Sequence, residues 1–340
     1  MLVRSALKVA PDEHVVVFDD AESRAIGDAI AEAADGVGAW VRRVRLDRIA
    51  TRPLRSLPEA ARAAMTSANA SVFVASALPL EASMRQALLH LVRERGLRHA
   101  HMPGITERGF IAGARVAYDE IARTGERVLD LVSRCKTITA ESPGGTLVRV
   151  TLGETARWFA QLGTLTAGEW GNLPGGALYT SPADVEGVFV ADASLGEFFG
   201  ARAGLLASDP VRLTIVHGRV VDIEAPADLA RDIRATLDLG QNSDRIGLVA
   251  IGINYGIDRA TGEAGVDQNM PGLHLGIGDP SGRMSGATWR AQTCFAACQS
   301  ASSVAVDGSV LVRDGALVGA AAPRASTRPQ MARSFSPVPR

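Results

Sequence analysis

The sequence predicts an α/β N-terminal doubly wound domain followed by an α+β, largely antiparallel C-terminal domain. Over the first 125 residues, short apolar runs alternate with stretches of helical period, which is how a parallel sheet covered by helices on both faces reads. From about residue 126 turn signals take over, at Pro143-Gly144-Gly145, His217-Gly218 and Asp307-Gly308, each between apolar runs. The length of 340 residues also exceeds one average compact unit. The expected division is a flavodoxin-like unit over 1–125, a cleft-bearing α+β unit over 126–319 and a tail over 320–340.

Taken in order, Val15, Val16, Val17 and Phe18 form a short buried strand. Asp19, Asp20 and Ser23 are capping types ahead of an Ala-rich helix over 24–38. Residues 40–46 alternate and predict a strand with one wet face. A helix around 58–68 leads to a strand over 71–76, and a longer helix over 81–96 stops at Gly96 before a strand over 98–103. After a helix over 118–134, three hairpins are predicted over 137–152, 211–224 and 302–317, with one helix over 227–239 among the strands. The tail from Ala320 has four Pro and four Arg, no acidic residue and little to bury, so disorder is expected there.

Composition narrows the functional classes. The chain is 46% hydrophobic and 21% charged with a net charge of -1, values of an ordinary globular protein that give no whole-chain attraction to nucleic acid or an anionic membrane. No apolar run reaches the ~18 residues of a membrane span, and residues 1–14 have no signal-type core. Three cysteines form no disulfide framework, so a reducing, cytoplasmic setting is expected. The loop after the first strand carries Asp19, Asp20 and Glu22 and no glycine, which is wrong for a phosphate cradle.

The remaining candidates are few. His99 and His101 share one face of a predicted strand; without a third ligand nearby they read as a surface or sheet-end pair. Cys294 and Cys298 lie at i and i+4, and with His274 they supply three zinc-ligand types; a cysteine nucleophile activated by His274 is a second reading, and a buried apolar role a third. Residues 170–176, 250–265 and 271–286 are glycine-rich and are expected to line one cleft. Trp170, Asn172, Tyr179, Asn254, Tyr255 and His274 are the predicted lining residues.

These stretches, with residues 103–110, 169–182, 187–196, 211–224, 272–278 and 306–315, resemble the aminopeptidase T family, whose superfamily includes 2,5-dihydroxypyridine 5,6-dioxygenases. The resemblance implies an aminopeptidase T-like fold, a homodimer and a metal site. Its glutamate ligands map onto Ala177 and Ala250, its histidine is kept as His274, and its His-x-Asp pair maps onto Cys294 and Ala296. Alanine ligates nothing, so the resemblance implies a metal site that has been stripped, with no metal cofactor. The expected function is then a catalytically silent homologue that binds a peptide or protein partner and presents it to a modifying enzyme. The alternatives are a metal-free enzyme using Cys294 or Cys298 as nucleophile, or a divalent-metal hydrolase or dioxygenase with ligands re-sited among Asp267, His274, Asp279 and the cysteines.

Overall fold

Val15, Val17, Val72 and Ala100 point to one side of a parallel sheet, and Val16, Phe18 and Phe73 to the other. The computed structural model describes residues 1–78, 80–196, 198–199 and 203–323. Of the tail expected at 320–340, residues 324–340 lie outside the described residues.

The strands in chain order are β1 His14–Asp19, β2 Trp40–Arg45, β3 Ala70–Phe73, β4 Arg98–His101, β5 Thr137–Glu141, β6 Leu147–Thr151, β7 Phe159–Gln161, β8 Trp170–Asn172, β9 Ala177–Thr180 and β10 Asp184–Ala191. There follow β11 Ser194–Leu195, β12 Val211–Val216, β13 Arg219–Glu224, β14 Ile246–Gly252, β15 Gly272–Gly278, β16 Cys294–Cys298, β17 Ser303–Val306, β18 Ser309–Arg313 and β19 Ala316–Leu317. The helices are α1 Arg24–Asp35, α2 Leu46–Ile49, α3 Glu59–Ala64, α4 Ala82–Glu94, α5 Glu107–Gly113, α6 Tyr118–Val132, α7 Ala227–Leu237, α8 Ala264–Asp267 and α9 Gly282–Ser285.

Three sheets result. The first runs β2-β1-β3-β4-β8 and is parallel throughout. Its fifth strand comes from far along the chain: Trp170, Gly171 and Asn172 pair with His99, Ala100 and His101. The second sheet, β13-β12-β10-β6-β5-β17-β18-β19, and the third, β11-β16-β15-β14-β9-β7, are antiparallel. One large core lies between them, with Ile138, Val150, Phe189 and Leu213 from the second sheet against Leu178, Val249, Leu273 and Leu275 from the third.

The order of the first sheet puts its switch point between β1 and β3, where open sheets of this kind bind ligands. Here the crevice is filled by protein. Arg52 is buried against Glu81, with Nε donating to Oε1 at 2.9 Å, and also donates to Asp20 and to the Ser76 carbonyl. Asp20 accepts the Ser76 amide at 2.7 Å and the Ser23 amide at 3.0 Å. The acidic loop therefore serves as a structural clamp.

His99 and His101 correct the surface reading. Both are buried, because their face of β4 looks toward α4 and not toward solvent. His99 Nδ1 is 2.8 Å from Ser71 Oγ and its Nε2 is 3.2 Å from His101 Nδ1. Burial holds both imidazoles below the usual histidine range, so they stay neutral and satisfy each other's polar atoms.

Candidate functional site

Register decides which predicted residues meet. In the third sheet Gly252 lies opposite Ala177, Ala250 opposite both Tyr179 and His274, Gly276 opposite Ala296 and Gly278 opposite Cys294. Directly opposed residues point to the same face and the side-chain period is two. Ala177, Tyr179, Ala250, His274, Cys294 and Ala296 therefore share one face, opposite the large core. Every position that the resemblance marks as a ligand is on it.

The chemistry of that face is apolar at its centre. Ala177, Tyr179, Leu248 and Ala250 form a buried cluster, and Phe159 stacks on Tyr179 with centroids 5.2 Å apart. Ala177 is fully buried and Ala250 is 4% exposed, so each methyl is packed where a carboxylate would meet carbon. Burial raises the Tyr179 hydroxyl well above the usual phenol range, keeping it neutral.

His274 is committed to structure. Its Nε2 is 2.9 Å from the Met270 carbonyl, which only accepts, so Nε2 carries the proton and Nδ1 is the acceptor. That nitrogen takes the Gln299 amide at 3.4 Å. Burial lowers its basicity, although the Met270 carbonyl and Asp267 oppose this. Cys294 is exposed, and desolvation by the surrounding protein together with the Asp279 carboxylate pushes its thiol up to about 11. It is therefore a neutral thiol at pH 7. Cys298 is fully buried.

The residues present do not fit a metal pair. Of the five implied positions three are alanine, one is the neutral thiol of Cys294, and the one histidine has both nitrogens engaged. The re-sited set fails as well. Asp267 is used by the Thr261 and Gly262 amides and the Thr261 hydroxyl, and Asp279 by the Ser281 and Ala291 amides. Among the described residues, the one group of three such side chains within 4.8 Å is Asp184, Glu186 and His217, on the outer face of the second sheet.

Four predicted lining residues do other work. Trp170 leaves the cleft entirely: it packs edge-on to His101 at 6.0 Å with Arg93 over its ring, since β8 belongs to the parallel sheet. Asn172 follows on the same strand and is exposed. Asn254 is a buried clamp, with Nδ2 donating to the Gly175 carbonyl at 2.9 Å and Oδ1 accepting the Gly256 amide at 3.1 Å. The Gly-Gly pair is required beneath it, because a Cβ on Gly176 would lie 2.6 Å from the Asn254 Cβ. The Tyr255 hydroxyl donates to Glu120 at 3.0 Å and packs beside the large core. Two surface cavities, of about 560 and 280 Å³, open beside α7 and include no residue of the alanine-lined face.

Sequence reasoning missed the aromatic partner Phe159, because a three-residue strand with one aromatic carries no periodic signal. It also missed the basic character of the loop between β15 and β16.

No curated protein matches the chain by sequence. The fold is similar to that of 2,5-dihydroxypyridine dioxygenase from Pseudomonas putida KT2440, with TM-score 0.62, 15% identity, and coverage of 92% of this chain and 93% of that one. It is similar also to AmpT from Thermus thermophilus, with TM-score 0.64, 19% identity and coverage of 93% and 96%. The sequence profile of the 2,5-dihydroxypyridine 5,6-dioxygenase family matches residues 3–253, and the chain belongs to that family.

Proposed function

We propose that this chain is a family member without the metal-dependent step, which retains a peptide or protein segment beside the buried face of Ala177, Tyr179, Ala250 and His274 and presents it to a modifying enzyme. The observation that carries the reading is the register: all the positions where the resemblance implies ligands fall together, and they hold Ala177, Ala250, Ala296, Cys294 and a hydrogen-bonded His274. A hydrolytic or oxygenating site needs several donors converging on one ion. This face offers methyl groups and aromatic carbon instead.

Loss of two carboxylates removes charge and adds apolar area next to a stacked Phe159–Tyr179 pair. An extended segment is recognised by backbone hydrogen bonds and side-chain pockets, and neither requires a metal. The cysteine-enzyme reading finds no support, since the Cys294 thiol is held neutral and His274 is already bonded on both sides.

The test is incubation with a mixed synthetic peptide library at neutral pH, followed by ultrafiltration and mass spectrometry. Peptides are expected to be retained intact, with no new N-termini. Cleavage, or ring opening of a dihydroxypyridine, at an enzyme-like rate of about 1 per second or faster would overturn the proposal.

A further inference from the structure

Between Gly278 and Cys294 the chain makes a long excursion, residues 279–293, at one end of the alanine-lined face. Four arginines gather on it or against it. Arg283 and Arg290 are on the loop and exposed. Arg157, two residues before Phe159, is exposed; its amide donates to the Ser285 carbonyl at 3.1 Å and its side-chain carbons lie beside Gly286. Arg245 precedes β14, accepts the Gly278 amide at 2.8 Å and holds its guanidinium 4.3 Å from the centre of the Trp289 ring.

None of the four forms an ion pair among the described residues, whereas nearby Arg219 is paired with Asp244 at 2.5 Å. The loop has a single carboxylate, Asp279, and its oxygens are taken by the Ser281 and Ala291 amides. Four guanidiniums without an ion-pair partner among the described residues thus lie on or against one loop, next to the half-buried Phe159. Guanidinium groups recognise carboxylates through charge-assisted, paired hydrogen bonds.

We infer that this loop is a docking surface for an acidic peptide segment, its carboxylates on Arg157, Arg245, Arg283 and Arg290. The inference rests on the peptide-binding reading and specifies its ligand. A nucleic acid fits less well: single strands bind by stacking bases on aromatic faces, and Arg245 already covers one face of Trp289.

The experiment uses the full-length protein, a random synthetic peptide library and the double variant Arg283→Glu/Arg290→Glu, both positions being exposed and remote from the core. Peptides retained by the parent protein should be enriched in Asp and Glu. The double variant should lose that enrichment and bind a selected acidic peptide about tenfold or more weakly, with the parent's affinity falling as salt rises. Retained peptides with no acidic bias, or a variant that keeps the bias, would overturn the inference and leave peptide binding standing. Retention of no peptide at all would remove both. Preference for a single-stranded oligonucleotide over the peptides would reassign the patch and overturn the inference.

Discussion

Ala250→Glu is expected to destabilise the protein by about 3–5 kcal/mol, the cost of an uncompensated charge in a packed interior. Ala250 lies opposite Tyr179 and His274 and is covered by the Phe159–Tyr179 stack. A carboxylate there meets aromatic carbon and an imidazole with no proton to give, because Nε2–H is donated to Met270. Ala250→Gln separates volume from charge: it should cost less, in the range of about 1–3 kcal/mol typical of overpacking. Adding zinc should not restore the Glu variant, since Ala177 and Ala296 supply no further donors. Urea midpoints for the three proteins decide it. A loss below about 1 kcal/mol, or rescue by zinc, would mean the face is open and metal-ready.

Arg52→Ala should cost a similar amount, about 3–5 kcal/mol, because removing one partner strands buried carboxylates. The guanidinium is 8% exposed, and Glu81 is wholly buried. Burial pushes Asp20 up, but the Ser76 and Ser23 amides overcome it and hold the carboxyl at about 2. Glu81 is likewise held below its ordinary 4.5, where burial is outweighed by Arg52 and the Leu54 amide. Both folded values lie below the unfolded ones. Their contribution is therefore full above about pH 4.5 and is lost as pH falls toward 2. The penalty of Arg52→Ala should be largest above pH 5 and shrink below pH 4, as the stranded carboxylates take up protons. Thermal midpoints measured from pH 7 to pH 3 would show this, and a penalty that does not change with pH would contradict the clamp.

Much of the fold was legible because apolar runs are local. Val15 to Phe18 announced β1, and the helical period of 81–96 announced α4. The strand Trp170–Asn172 was not legible as a member of the first sheet: three residues without an apolar run carry no pattern, and their place is fixed by pairing with β4 far away in sequence. The burial of His99 and His101 was hidden for another reason. Their alternation was visible, but histidine does not report burial, and the Ser71 hydroxyl that satisfies the pair is contributed by another strand.

The candidate face was legible only through resemblance. Nothing in composition singles out Ala177 or Ala250 among so many alanines. What the structure adds is that the implied positions, spread from 177 to 296, meet on one side of one sheet. The arginine cluster was invisible in sequence, since Arg157, Arg245, Arg283 and Arg290 are brought together only by the return of β7 and β14 to the loop. Trp170 and Asn254 show the converse: a polar or aromatic residue in a glycine-rich loop suggested a ligand contact, and packing had already used it.

The central claim is that this chain binds its ligand with no metal at the alanine-lined face, and metal stoichiometry tests it most directly. Protein purified without chelators would be dialysed against zinc, cobalt and iron, then desalted and measured by inductively coupled plasma mass spectrometry. A parallel His217→Ala sample would remove any contribution from the surface group at Asp184, Glu186 and His217. Fewer than about a tenth of an equivalent in every case is the result expected from a donor set this poor. One or two equivalents retained by the His217→Ala protein would contradict the account and place a working metal centre where Ala177, Ala250 and His274 meet.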